Sequence, residues 1–586
     1  MFNTSLSEFL KRFRPKTKRS RQEEAHQIPL REIFPQFPKA KFPNNTFPNE
    51  IWLHIIDFMP PSQVQRLHTV NATFLHFVMD NKYRQMCFAY LDHRMVRNLA
   101  RLMDPVVAKL VRVLHIYPDC LMEVLQDQTI WTVPTQGDGP NVTTKSKAAL
   151  FRLFKANSNG ALVQAILQVL GCLPNISKCN ISWYCSPNGF SRFEPLLYGV
   201  GTSLAPFLTS LGASSTLRQL SLNLGMENMK LFINPKVFEV LRLEELDITL
   251  HHASWTDSLA KELGLAINSL QPTLRILTFQ TFSRFAAELE RFFVTLETLP
   301  VIEELRVSIP LEPPHLGDPE AFRSFLKKQR RTLATLRIKS NRTTGSEVDT
   351  IPEMFEESFA LWVKNVLGGP LQDASRAASD PEPIPPLRLP ALLNLEITSS
   401  HFPKRVALVC LQHFHYFGTP GLESVSITGA DRTYQDVIDI MNAITQPPSP
   451  PHESSTQQLD VQITRPQPHS LRIGLVNLCP QLIDLLACSL PHLRRLGLVV
   501  KYVQPDVEEW SETHVTAMRR SPSNTEILAA AQLGKFLELF VETKSYPDWP
   551  LQCLSILATS MPSRITNEPT LQAAFLHVIP QLRVIC

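Results

Sequence analysis

Two histidine pairs, His251-His252 and His413-Phe414-His415, and a cysteine trio, Cys172, Cys179 and Cys185, are the residues best suited by type to metal or nucleophilic chemistry. Zinc needs thiolates and imidazoles at short, fixed spacing, as in Cys-x-x-Cys with a second pair nearby. The ten cysteines include no Cys-x-x-Cys, the trio has no neighbouring His, and neither histidine pair has a carboxylate or Cys at ligand spacing. The thiols are therefore expected to be reduced and set in apolar surroundings, and the histidines to be surface or satisfied interior groups. No metal and no cofactor are expected. Phosphate loops of the form GxxxxGK[ST] or GxGxxG, the HExxH helix and the GxSxG nucleophile turn are all absent. The acidic pairs Glu244-Glu245 and Glu303-Glu304 read as solvated edges. No catalytic residue is assigned, and the chain is expected not to be an enzyme.

What remains is recognition, and composition narrows its kind. With 44% apolar and 19% charged residues over 586 positions, the chain has the make-up of a folded protein. Forty-seven prolines against twenty glycines suit repeated helix and strand stops better than glycine-rich phosphate loops. Residues 1–50 carry ten Lys/Arg and five Asp/Glu, which leaves the remainder at about −1 of the net +4. The body therefore offers no general nucleic-acid footprint. No apolar run approaches the ~18 residues of a membrane span, and no secretory signal opens the chain. No membrane partner and a cytoplasmic and/or nuclear location are expected.

Residues 1–46 form a basic, Phe-Pro-rich flexible arm; its KRFRPKTKRSR stretch (11–21) reads as a solvated tail, a nuclear import signal or part of a mitochondrial presequence. From Phe47 the pattern turns helical. Ile51, Ile55, Ile56 and Met59 fall at helical spacing, with Pro48 suited to the first turn and Pro60-Pro61 forcing a stop. Ser62 can cap a short second helix carrying Val64, Leu67 and Val70. Asn71 can cap a third, with Phe74, Phe77 and Val78 facing inward. Three short helices bury little surface, so the unit (47–91) is marginal alone and a partner would complete it.

The line FPNEIWLHIIDFMPPSQVQRLHTVNATF (47–74) resembles the F-box, whose usual form is close to LPxEIxxxIxxxLxPxDLxxLxxVNxxF. Pro48, Glu50, Ile51, Ile55, Pro61, Leu67, Val70, Asn71 and Phe74 match, while Met59 and Val64 are conservative variants. Phe47 stands for Leu and Gln63 for Asp. The resemblance implies a three-helix module that docks on a Skp-type linker protein and, through it, a cullin. Phe47, Pro48, Ile51, Ile55, Met59, Pro61, Val64, Leu67 and Val70 would form the linker-binding unit. Some of them must instead hold its helices together.

From about 105 to 586 the template Leu-x-x-Leu-x-Leu recurs, with Ile, Val or Cys allowed. Instances are Val111-Leu114-Ile116, Ile176-Cys179-Ile181, Leu217-Leu220-Leu222, Leu243-Leu246-Ile248, Leu274-Leu277-Phe279 and Ile302-Leu305-Val307. Leu333-Leu336-Ile338, Leu392-Leu395-Ile397, Leu422-Val425-Ile427, Leu471-Ile473 and Leu493-Leu496-Leu498 follow. Middle positions from Leu220 to Leu336 step by 26, 31, 28 and 31 residues. Between them run amphipathic segments ended by proline, such as Leu259, Leu263, Ala266, Ile267 and Leu270 before Pro272. Each unit is thus a strand, a loop, a helix and a stop, and only stacking buries its apolar face. The pattern resembles leucine-rich repeats, with a departure. The family's Asn three residues after the last Leu is matched only by Asn341; Gly225, His251, Phe282 and Pro310 hold the other places.

The expected fold is α/β, an N-terminal three-helix F-box followed by an irregular leucine-rich-repeat solenoid of parallel strands, with mobile loops near 341–390 and 446–468. The F-box resemblance implies the substrate-recognition subunit of a Skp–cullin–F-box ubiquitin ligase. Period-two alternation puts Ser221, Asp247, Thr278, Arg306, Arg337, Glu396 and Ser426 away from the core, where they would contact the protein to be ubiquitinated. A repeat scaffold that binds the linker without directing degradation is the alternative, and an enzyme whose site is assembled from distant residues is a further one.

Overall fold

The computed structural model describes residues 47–67, 71–125, 142–183, 203–213, 216–225, 228–229, 233, 235–251, 257–282, 289–310, 317–341, 353–368, 385–398, 404–414, 421–429, 431–445, 467–507, 522–558 and 569–585. They fall into two compact units that divide between Val78 and Met79.

The first unit is helical. Pro48 precedes the helix Asn49–Asp57, and its carbonyl accepts from the N–H groups of Ile51 (3.1 Å) and Trp52 (3.4 Å). The next helix, Pro61–Val64, starts on the proline, which has no N–H to leave unbonded there. The carbonyl of Pro60 accepts from Gln63 and Val64, so Pro60 and not Ser62 precedes this helix. Asn71 Oδ1 accepts from Phe74 N–H at 2.9 Å and caps the helix Ala72–Tyr83. Ile56, Val64 and Phe74 form the core, with Trp52, Met59, Leu67, Phe77 and Val78 packed against it.

The second unit is α/β. Among the described residues it holds one fourteen-stranded sheet in which each strand pairs with the next in sequence, always parallel. The strands are β1 (Gln85–Phe88), β2 (Val113–Ile116), β3 (Lys178–Trp183), β4 (Gln219–Gly225), β5 (Glu245–His251), β6 (Ile276–Phe282) and β7 (Glu304–Pro310). They continue as β8 (Thr335–Asn341), β9 (Asn394–Thr398), β10 (Ser424–Thr428), β11 (Ser470–Leu478), β12 (Arg495–Val503), β13 (Cys553–Ala558) and β14 (Val584–Ile585). Strictly sequential parallel pairing is compatible with a solenoid-like α/β fold. The sheet begins at Gln85, inside the stretch that the sequence pattern ascribes to the N-terminal module.

Buried side chains recur at the expected interval. Leu220 and Leu222 on β4 and Leu246 and Ile248 on β5 are core residues, as are Leu217 and Leu243 just ahead of those strands; their counterparts through β12 are buried too, except Leu422, which is partly buried against the core. The helices between strands place Leu259, Leu263, Ala266, Ile267 and Leu270, then Leu289, Phe292, Phe293 and Leu296, against the sheet. Aromatic rings link the sheet to its helices and successive helices to each other. Phe279 stacks on Phe292 (4.5 Å between centroids), Phe293 meets Phe322 (4.6 Å), and Phe322 stacks on Trp362 (5.7 Å).

Strand alignment is set by main-chain atoms. Arg218 O accepts from both Glu244 and Glu245 N–H, Glu244 O from Arg275 and Ile276, and Arg275 O from Glu303 and Glu304. The same paired bond recurs from Arg84 to Gln552, one carbonyl per strand. The missing Asn column is replaced only locally: His251 stacks on Phe282 (5.1 Å, planes 6° apart) and its Nε2 lies 2.6 Å from Asn223 Oδ1.

Two expectations change, and a third falls outside the described residues. The loop assigned near 341–390 contains the helix Glu353–Leu367, whose Phe359, Val363, Val366 and Leu367 are buried; its amphipathic pattern wins burial that the flanking Pro- and Ser-rich composition concealed. The expected loop near 446–468 lies almost wholly outside the described residues. Glu304 is not a solvated edge: Arg306 Nε donates to its Oε1 (2.8 Å) and the Arg337 guanidinium forms an ion pair with it (2.6 Å).

Cys179 and Cys410 are fully buried, and burial pushes both thiols up to about 12. His413 is an interior histidine whose Nε2 lies 2.9 Å from Leu387 O. Burial, opposed by that bond, lowers its pKa to about 4. The folded chain resists a proton that the unfolded chain accepts near 6.5, so this stability is present at neutral pH and drains as pH falls from about 6.5 toward 4. The loss attributable to this group is roughly 3 kcal/mol. His413→Gln is expected to flatten that part of the curve, read as a smaller wild-type-like fall in urea midpoint between neutral and acidic buffer.

Candidate docking surfaces

The helix Asn49–Asp57 carries more apolar residues than its own core uses. Successive residues turn by about 100°, so Trp52, Ile56 and Met59 share one stripe while Phe47, Ile51, Ile55 and Phe58 share a neighbouring one. The first stripe faces the core: Ile56 is 2% exposed, and Trp52 and Met59 pack beside it. The second faces solvent, with Phe58 at 89% the most exposed. Leu53 and, on Ala72–Tyr83, Leu75 are exposed as well. Phe47 is tied to the module by an edge-on contact with Trp52 (5.5 Å), which in turn meets Phe74 (5.8 Å).

This geometry divides the residues that the sequence left together. Phe47, Pro48, Ile51 and Ile55 are exposed. Val64 is 2% exposed and belongs to the core, a correction to its place among surface contacts, since the short helix Pro61–Val64 turns its last residue onto Ile56 and Phe74. Met59 and Leu67 are half-buried and hold the helices together. Pro61 starts its helix, and Val70 lies outside the described residues. Phe58 was missed. It stands three residues after Ile55 and seven after Ile51, a spacing that marks it as part of the exposed stripe.

On the sheet, Ser221, Asp247, Thr278, Arg306, Arg337, Glu396 and Ser426 occupy one register row across seven consecutive strands, β4 to β10. Most are half-buried, but Thr278 is only 4% exposed and supplies almost no side-chain surface. Several of the others already hold each other. Ser221 Oγ donates to Asp247 Oδ2 (3.2 Å), Arg337 reaches Glu396 (2.9 Å), and Glu304 anchors both arginines. Hydrogen bonding to Glu304 raises the Arg306 guanidinium further.

Beside Ser221 and Asp247, β2–β5 enclose a polar depression of ≈ 300 Å³ also lined by His115, Lys178, Asn180, Asn223 and Glu245. His115 bonds Gln85 (2.9 Å) and Asn180 (3.0 Å). Burial pushes the His115 imidazole down, and burial pushes the Asp247 carboxyl up. These groups leave the depression lined with both donors and acceptors. Carrying the same alternation two strands further back, and two residues earlier along β3 and β5, would have found His115, Lys178 and Glu245. Among the described residues no group of His, Cys, Asp and Glu is arranged to hold a metal ion, and no helix is long and apolar enough to cross a membrane. No protein-family model matches this chain, and no curated protein matches it.

Proposed function

We propose that the chain is the substrate-recognition subunit of a Skp–cullin–F-box ubiquitin ligase, with residues 47–78 as an F-box module and the parallel sheet as an irregular leucine-rich-repeat solenoid. The observation that carries the reading is the outward apolar stripe Phe47, Ile51, Ile55 and Phe58 on a module whose own core is three side chains deep. Ile51 and Ile55 of those four also match the F-box pattern, and Phe47 holds the place of its first Leu. A module with so little core gains by giving that stripe to a Skp-type linker. The strand row and its depression would then hold the protein to be ubiquitinated. Catalysis would be proximity, with substrate lysines concentrated near a ubiquitin-charged enzyme brought by the cullin.

Affinity purification of the full chain tests this together with the scaffold alternative. Linker and cullin are expected to be recovered together, and at least one co-purifying protein is expected to turn over more slowly when the chain is deleted. Recovery of linker without cullin, or unchanged turnover of every partner, would favour the scaffold. Arg306→Ala with Arg337→Ala is expected to lose substrate and keep linker, read by quantitative mass spectrometry of the same eluates.

A further inference from the structure

The stretch Lys327, Lys328, Gln329, Arg330 and Arg331 places four cations in five residues, in a body whose net charge is about −1 with them included. With Thr298 and Ser324 these four cations line a surface depression of ≈ 410 Å³. Every lining side chain can donate a hydrogen bond and no carboxylate is among them. Lys327 and Lys328 end the helix Pro319–Lys328, where the helix dipole favours positive charge. That accounts for the two lysines but not for Arg330 and Arg331, which follow in the turn. Among the described residues none of Lys327, Arg330 and Arg331 is paired with a carboxylate.

The rim is also held in place. Gln329, only 1% exposed, accepts from Leu299 N–H (2.9 Å) and donates to Glu297 O (2.9 Å), spanning Thr298 from both sides. Lys328 Nζ donates to Leu296 O at 2.7 Å. The loop that presents Thr298 is thus fastened to the segment that presents the arginines, so the two halves of the rim are held together before anything binds.

We infer that this depression binds a phosphate monoester dianion. Two planar guanidinium forks, an ammonium and two hydroxyls match its several acceptor oxygens and its charge. The inference stands apart from the ligase reading, since it uses a different surface and needs no linker. The phosphate can come from a phosphorylated protein segment or from a small phosphorylated metabolite.

The test uses the full chain and two probes at constant ionic strength, a dodecapeptide with two adjacent phosphoserines and inositol hexakisphosphate. The unphosphorylated peptide serves as control. Calorimetry is expected to show binding of at least one phosphorylated probe, weakened about tenfold or more by Arg330→Gln with Arg331→Gln. Lys327→Gln is expected to weaken it further, with circular dichroism of the free variants unchanged. The tighter probe identifies the source. Absence of binding by both probes overturns the inference. So does binding that survives the double substitution, which would place the anion on the basic arm at 11–21.

Discussion

Ile51→Asp combined with Ile55→Asp is expected to abolish recovery of the Skp-type linker while leaving the chain folded. Both side chains lie on the solvent side of Asn49–Asp57, so the substitutions remove little internal packing. Fully burying one Ile or Leu is worth roughly 1.5–3 kcal/mol. Losing two such burials costs about 3–6 kcal/mol, a fall of some hundredfold to ten-thousandfold in affinity, before the cost of desolvating two carboxylates is added. Phe58→Ala should weaken the same contact by a smaller margin. Val64→Asp provides the contrast: it buries a charge in a core shared with Ile56 and Phe74, so the module itself should unfold. Pull-down of the linker, read beside amide exchange over residues 47–78, separates the two outcomes. Retained linker with Ile51 and Ile55 both changed to Asp would sink the docking assignment.

The second large effect lies in the aromatic chain that crosses the helices of the sheet unit. Phe293 touches Phe292 (5.3 Å), Phe322 (4.6 Å) and Phe325 (5.8 Å), and so belongs to two neighbouring repeats at once. Phe293→Ala is expected to cost about 3–5 kcal/mol through lost transfer energy and the cavity left behind. Repeat stability is a sum of local and nearest-neighbour terms, so the loss should appear as uncoupling at one interface. Urea unfolding should then show an earlier transition, with protease cutting concentrated between β6 and β8. Phe293→Leu should recover most of the loss.

The strands were legible where their buried triplets use aliphatic residues. Leu220, Leu246 and Leu277 each stand at the middle of a template that the structure turns into a strand. The first strand escaped because its triplet is Tyr83, Met86 and Phe88, which bury as deeply as leucines but fall outside an aliphatic alphabet. The thirteenth has a fitting triplet, Leu551-Leu554-Ile556, that went unread after a long stretch without repeats. The fourteenth has two residues, too few for a period. The docking stripe was harder for a geometric reason. Ile55 and Ile56 are neighbours in sequence but point about 100° apart, and a hydrophobic pattern alone does not say which of two adjoining stripes the fold will cover. The basic run 327–331 is visible in the sequence, but its meeting with Thr298 is not, because that is made by the side chains of Gln329 and Lys328 reaching the segment 296–299.

The column of main-chain carbonyls, each accepting two N–H groups of the following strand, has a consequence for how such a chain can vary. Height along the sheet is dictated at one fixed point per repeat, upstream of the strand and independent of side-chain identity. Whatever lies between two such points is free to grow or shrink. Ala334 O accepts from Leu393 and Asn394 across 59 residues as readily as Glu244 O accepts from Arg275 and Ile276 across 31. Insertions are thus absorbed like slack in a rope pinned at intervals, and the row of outward side chains stays in line. A protein built this way can lengthen its helical side or rewrite its edge residues while the outward row of the sheet keeps its spacing.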